Sequence, residues 1–377
     1  MQTLRISLCL VFAGAAFAQF PGLSLPPSGN NQKATTVQYI GPVRVAIDYS
    51  SPAVHGPDGK DRRGQIWGKL VPYGLSNQGF GNDKPTPWRA GANENTVFTV
   101  SHDVMIEDKP LPAGRYALFM IPGQEEWTLI FSKDSHAWGS FWYEDADDAL
   151  RVTVKPHKHE YREYLTYEFP VRKPTEATAE LQWEELSVPW NIKVNDVDQI
   201  YVSRLKAELT DQAGFTSQGW ATAAQYTVQS GKNLEQGLKW ADVAVNDKFI
   251  GQKNFNTLST KAQVLAKMNR QDEAAKLMDE AIHMPSTSAL EIHQYGRMLL
   301  TQKKTDQAFK VFEYNAQRNG DAWPVHVGLM RAYAAKGDIP KALEHAKKAV
   351  GQAPDDLNRN NLQAMVKTLE SGKNIDQ

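Results

Sequence analysis

Two periodicities divide the chain. From about residue 36 to 195, apolar and polar positions alternate in twos; beyond about 196, apolar positions recur every three to four residues. Val43, Val45, Ile47 and Tyr49 interleave with Arg44, Ala46 and Asp48, the signature of a half-buried strand. Further strand-like runs cover 96–104, 115–121, 127–132, 149–155, 161–169, 179–188 and 191–194. Asp108-Lys109-Pro110, Leu111-Pro112-Ala113-Gly114 and Pro122-Gly123-Gln124-Glu125 mark turns between them. With no helical period between, residues 36–195 are expected to form an all-β, antiparallel sandwich or barrel-like domain.

At Asn195 or Asp196 the period changes. Either can cap a connecting helix over 196–215 that carries Val197, Ile200, Tyr201, Leu205 and Leu209. A repeat then begins. Ala274, Ala308 and Ala342 stand 34 residues apart, with Ala262, Gly296 and Met330 twelve residues earlier and Leu265, Leu299 and Tyr333 nine earlier. Gly237 precedes Ala274 by 37, and Pro354 falls twelve after Ala342. This resembles the tetratricopeptide (TPR) repeat, two antiparallel helices with small residues where they cross. An all-α, TPR-like array of four repeats is expected over 216–354, with a C-terminal helix or tail over 355–377. The resemblance implies a protein or peptide partner, because concave TPR surfaces dock such segments. It says nothing of the partner's identity.

The first residues read as an export signal. Arg5 precedes the apolar run 6–17, and Ala16-Phe17-Ala18 offers a small-x-small cleavage site before Gln19. That run is too short for a membrane span, which takes about 20 apolar residues. Residues 1–18 are therefore expected to be removed. A flexible leader rich in Pro, Gly, Ser and Asn would then occupy 19–35. The expected compartment is the periplasm or the exterior of a Gram-negative bacterium, with no stable membrane span after cleavage. Cys9, the one cysteine, lies in the signal, so the mature chain has neither disulfides nor thiolate chemistry. Lys and Arg (42) balance Asp and Glu (43), which argues against a nucleic-acid partner.

One constellation does not follow from core packing. Tyr49-Ser50-Ser51-Pro52, Ile66-Trp67-Gly68, Leu70-Val71-Pro72-Tyr73-Gly74 and Trp88-Arg89-Ala90-Gly91-Ala92-Asn93-Glu94 are followed by Leu111-Pro112-Ala113-Gly114-Arg115-Tyr116, Ile121-Pro122-Gly123, Glu126-Trp127 and Trp138-Gly139. In that order they resemble the DUF2911 family over about residues 37–192. The resemblance implies an exported bacterial protein, often with TPR-like repeats after the β domain. It transfers an architecture and no activity. Pro57-Asp58-Gly59-Lys60-Asp61 and the stretch 75–87 lengthen loops relative to the family pattern.

Within the constellation, Arg89 offers a planar fork for carboxylate or phosphate, and Asn93 supplies a donor and acceptors. Gly91 permits close approach of backbone, and Trp67, Tyr73 and Trp88 can wall a pocket or stack on a sugar or cation. The ligand-facing residues expected are Tyr73, Trp88, Arg89, Asn93 and Glu94. The competing expectation is an Arg89–Glu94 ion pair that ties a loop to the sheet. Glu94 and His136 are the catalytic candidates, though no second acid is placed beside Glu94. His157 and His159 share a strand face without a third ligand, so no metal is expected, and no cofactor. His55 and His102 stand alone. Trp138, Phe141, Trp142 and Tyr143, followed by Glu144, Asp145, Asp147 and Asp148, read as a sandwich edge with a solvated acidic turn in preference to a carbohydrate platform or calcium-binding loop. The preferred function is an exported binding protein, its β domain holding a peptide, glycan or small anion. The alternative is an extracytoplasmic hydrolase built around Arg89, Asn93 and Glu94.

Overall fold

The computed structural model describes residues 31–79, 81 and 83–375, and the chain divides into two compact units after Val197. The export segment and residues 19–30 of the leader lie outside the described residues. Among the described residues, no helix is long and apolar enough to cross a membrane.

Among the described residues, the first unit contains twelve strands: β1 (Gln32–Ile40), β2 (Val43–Ser51), β3 (Ser76–Asn77), β4 (Pro85–Thr86), β5 (Val97–Val100), β6 (Val104–Ile106), β7 (Lys109–Leu111), β8 (Gly114–Ile121), β9 (Trp127–Ser132), β10 (Asp148–Val154), β11 (His157–Arg172) and β12 (Glu176–Lys193). Six form one antiparallel sheet in the order β1-β2-β5-β8-β9-β10; a second runs β11-β12-β6-β7; β3 and β4 make a separate ribbon. The antiparallel all-β expectation holds. Tyr49 of β2 meets Tyr167 of β11 edge-on at 4.9 Å, and Tyr167 meets Trp190 of β12 at 6.0 Å, so the sheets share one aromatic core.

Local details depart from the pattern. β1 begins at Gln32, so residues 32–35, assigned to the leader on composition, are sheet. The run 96–104 splits at Ser101 into β5 and β6, which enter different sheets. The runs 179–188 and 191–194 are one strand, β12, which continues through Pro189. Its buried positions change phase, from Ala177, Ala179, Leu181 and Trp183 to Val188, Trp190 and Ile192. The phase changes around Glu184, whose φ of 56° is left-handed and on either side of which the β11–β12 register shifts, with the extra residues on β11.

Among the described residues, the second unit contains ten α-helices: α1 (Val197–Glu208), α2 (Ser217–Ser230), α3 (Leu234–Asn246), α4 (Phe255–Lys267), α5 (Gln271–His283), α6 (Ala289–Thr301), α7 (Thr305–Asn319), α8 (Trp323–Ala335), α9 (Ile339–Gly351) and α10 (Asp356–Glu370). They pack as successive pairs, α2/α3, α4/α5, α6/α7 and α8/α9, with α10 against α9. Asn254 with Thr257 and Ser288 with Glu291 form capping boxes at the starts of α4 and α6. The small repeat positions sit where helices cross. A Cβ on Gly296 or on Gly328 would lie 2.4 Å from the Phe312 ring, so this ring occupies a slot between two glycines. Ala308 and Ala342 are fully buried. Between the second and third pairs the packing is looser, and a cavity of about 630 Å³ opens beside Met278, Tyr295 and Leu299.

Candidate functional site

Two loops of the first unit build the site. In the first, the Trp67–Val71 bridge closes a turn in which Gly68 (φ +76°) lies against the Tyr73 ring; a Cβ there would sit 2.6 Å from it. The second loop starts at Trp88, which exchanges two 2.8 Å main-chain hydrogen bonds with Met120 of β8. Ala90 is buried with φ 54°, a conformation that Ala adopts only where its surroundings enforce it. Its carbonyl accepts from the Tyr167 hydroxyl at 2.7 Å and from Thr96 Oγ1 at 3.0 Å. A Cβ on Gly91 would meet Thr96 Oγ1 at 2.7 Å, and the Ala92 N–H donates to the Ser50 carbonyl at 3.1 Å. The loop thus lies flat on β2, and the close approach expected of Gly91 is why no side chain is tolerated there.

Trp88 belongs to a cluster of four indoles. Trp67 lies 5.8, 5.2 and 5.6 Å from Trp88, Trp127 and Trp183, and Trp88 stacks on Trp183 at 6.5 Å. Trp127 and Trp183 are buried. Among the described residues, the buried Nε1 atoms of Trp67 and Trp183 have no hydrogen-bond partner.

Arg89 lies beside this cluster, half-buried. It donates from Nη1 to the Asn93 carbonyl at 2.7 Å, and its guanidinium carbon lies 5.4 Å from the Trp138 ring and 5.0 Å from that of Phe141. A Cβ on Gly139 would come within 2.6 Å of Nη1, so the side chain rests on bare backbone. Burial draws the Arg89 pKa down, although a guanidinium stays charged at neutral pH. The expected pair with Glu94 does not form. Glu94 bonds instead to Lys33 at 3.1 Å and to the Ser50 hydroxyl at 3.3 Å. Among the described residues, no carboxylate is within ion-pairing distance of Arg89.

A cleft of about 420 Å³ opens over Arg89, walled by Trp88, Trp138 and Trp183, with Asn93 and Arg62 at its edges. Among the described residues, its lining includes two arginines and no carboxylate. Arg62 was not anticipated. It comes from the lengthened loop after β2, donating to the Val54 carbonyl at 3.0 Å and the Ala53 carbonyl at 2.8 Å. Nothing in its sequence surroundings marks it. Of the expected ligand residues, Trp88, Arg89 and Asn93 converge on this cleft. Tyr73, 42 % exposed, is not among its lining residues. Glu94 faces a different cleft of similar size, together with Asp48, Arg115 and His136, and only Trp138 borders both. Its carboxyl is held below its usual range by its own main-chain N–H, then by Lys33 and Ser50. His136 contacts Ser135 Oγ at 3.5 Å.

The remaining candidates are accounted for locally. His159 bonds to the Glu160 carbonyl at 2.7 Å, His55 to Glu163 at 2.9 Å and His102 to Ser101 at 2.9 Å. Among the described residues, no group of three His, Cys, Asp or Glu side chains could hold a metal ion. The aromatic run divides. Trp138 and Phe141 stack at 5.9 Å and belong to the Arg89 site. Tyr143 donates to Asp148 at 2.8 Å and accepts from Arg151 at 2.6 Å, fastening the start of β10.

Residues 31–192 match the family model described as "Protein of unknown function (DUF2911)", and residues 299–366 match "Tetratricopeptide repeat". The chain carries a DUF2911 domain and TPR repeats. The DUF2911 match spans the cleft and both sheets, and the repeat match begins within α6 and ends within α10. A solved structure described as "Crystal structure of YrrB: a TPR protein with an unusual peptide-binding site" is similar at 18% identity and a TM-score of 0.30, covering 44% of this chain and 86% of that one. No curated protein matches the chain.

Proposed function

We propose that this protein is an exported binding protein. The DUF2911 cleft holds the anionic group of a small ligand against its tryptophans, and the TPR unit docks a polypeptide partner. One observation carries the first part: Arg89 is half-buried between aromatic rings with no carboxylate within ion-pairing distance among the described residues, in a cleft whose lining has no acid. A desolvated guanidinium without an anion is costly, and an incoming carboxylate, sulfate or phosphate restores the missing charge-assisted hydrogen bonds. The flat indoles favour a ligand with an apolar face beside its charge. TPR repeats, which characteristically bind protein segments, support the second part.

The hydrolase alternative is weaker, because Arg89 and Glu94 open on separate clefts and Glu94 is held as an ion by its own main-chain N–H and by Lys33. Export rests on the signal pattern in residues 1–18, and mass spectrometry of the protein from its native cell should find Gln19 as the first residue. An intact Met1 would remove the periplasmic assignment.

The cleft is tested by isothermal titration with benzoate, acetate, sulfate and phosphate. Arg89→Gln should weaken binding of the best anion by about tenfold or more, as expected for a hydrogen bond to a charged group worth about 1.5–3 kcal/mol. Arg89→Lys should fall between, since it keeps the charge and loses the fork. Equal affinity in wild type and Arg89→Gln would remove the anion assignment.

A further inference from the structure

The TPR unit contains a groove lined by uncharged side chains. Helices α1, α2 and α4 enclose a cavity of about 650 Å³ with no charged side chain in its lining. Its polar groups are mainly amides and hydroxyls, among them Gln218, Thr222, Gln225 and Gln229 of α2 and Asn256 and Gln263 of α4. Some already pair: Asn256 donates to Gln218 at 2.8 Å, Gln218 to Thr222 at 3.2 Å and Gln225 to Gln263 at 3.3 Å. Among the described residues, those bonds leave the side-chain oxygen of Gln225 and the NH₂ of Gln263 available, and the Gln229 amide has no partner. A side-chain amide presents the same donor and acceptor as a peptide group. Side chains four apart on a helix are about 6 Å apart along its axis, close to the roughly 6.7 Å that two residues of extended chain span. Gln225 with Gln229 has that spacing, whereas Gln218 and Thr222 bond to each other.

Gln263 also borders the cavity between the second and third helical pairs. That cavity is floored by Ala262, Ala266, Ala274, Met278 and Leu299, and Lys267 and Lys304 are the charged residues in its lining. Its volume of about 630 Å³ is more than sufficient for one large side chain.

We infer that the groove takes an extended, uncharged polypeptide segment read through its main chain, with one bulky apolar side chain anchored in the adjoining cavity. This rests on the reading that the TPR unit docks a polypeptide, and adds the chemistry of the segment. A charged residue on the segment would lose water against amides that offer no counter-charge, so charge is selected against. Basic residues near the anchor are disfavoured further by Lys267 and Lys304.

Selection from a random dodecapeptide phage library on the full chain tests this. Enriched peptides should share an uncharged run beside one Leu, Met, Phe or Trp. Their affinity should hold between about 50 and about 500 mM salt, because no ion pair is there to screen. The double variant Gln225→Leu/Gln263→Leu should bind about tenfold more weakly. Gln229→Leu, on an exposed side chain, should cost about threefold with an unchanged melting curve, separating lost contacts from lost folding. Acidic or basic peptides whose affinity collapses with salt would overturn the inference and leave the docking reading standing. No enrichment of any peptide would overturn both. A neutral oligosaccharide bound by the wild type and lost in the double variant, with no peptide enriched, would assign the groove to carbohydrate.

Discussion

Arg89 is positioned by residues that never touch a ligand. Its loop turns at Ala90, which holds a left-handed conformation because Tyr167 and Thr96 both bond to its carbonyl. Tyr167→Phe should therefore lower the urea unfolding free energy of the DUF2911 domain by about 1–2 kcal/mol. The same change should weaken anion binding at the cleft, because the loop that carries Arg89 loses an anchor. Unchanged binding in a destabilised Tyr167→Phe variant would separate the loop's stability from its use. At this scale the sequence was partly legible. Trp88, Arg89 and Asn93 lie within six consecutive residues, so a motif could point to them. Arg62, Trp138 and Trp183 come from three distant segments that only long-range pairing brings together. Glu94 adjoins Asn93 in sequence, yet the left-handed turn at Asn93 (φ 57°) separates them, and Glu94 faces Lys33.

Elements were legible in proportion to how local their causes are. The repeat was visible because crossing helices require small residues at fixed intervals, and Phe312 shows the physical need. Gly296→Ala or Gly328→Ala would push a methyl to 2.4 Å from that ring. Each should destabilise the TPR unit by about 1–3 kcal/mol through overpacking, measured by thermal or urea melts. Combining either with Phe312→Leu should recover part of the loss. The strands were read less well. The change of side between β5 and β6 depends on which sheet lies nearby, and the register shifts beside Glu184 depend on the pairing of β11 with β12. Neither leaves a clear mark on hydropathy.

For the molecule as a whole, the two units should respond to acid differently. His293, buried between α6 and α8, has its pKa pushed down to about 4, mainly by burial and then by Arg297 and Arg331. Unfolded, a histidine titrates near 6.5. The folded unit therefore resists a proton that the unfolded chain accepts, and stability is lost as pH falls from about 6.5 toward 4. By pH 5 that loss is about 2 kcal/mol, which His293→Gln should remove when wild type and variant are melted at pH 7 and pH 5. An equal pH dependence in both would assign the effect elsewhere. The architecture of both units was legible because each is built from a repeating pattern; what the cleft and the groove hold was not, since that depends on side chains left without partners. The tryptophan cluster also has an optical consequence. Indoles 5.2–6.5 Å apart couple their electronic transitions, so the DUF2911 domain should give an intense near-ultraviolet circular dichroism band. Because Trp88 and Trp183 line the Arg89 cleft, an arriving ligand should shift that band, and the protein would report its own occupancy without a label.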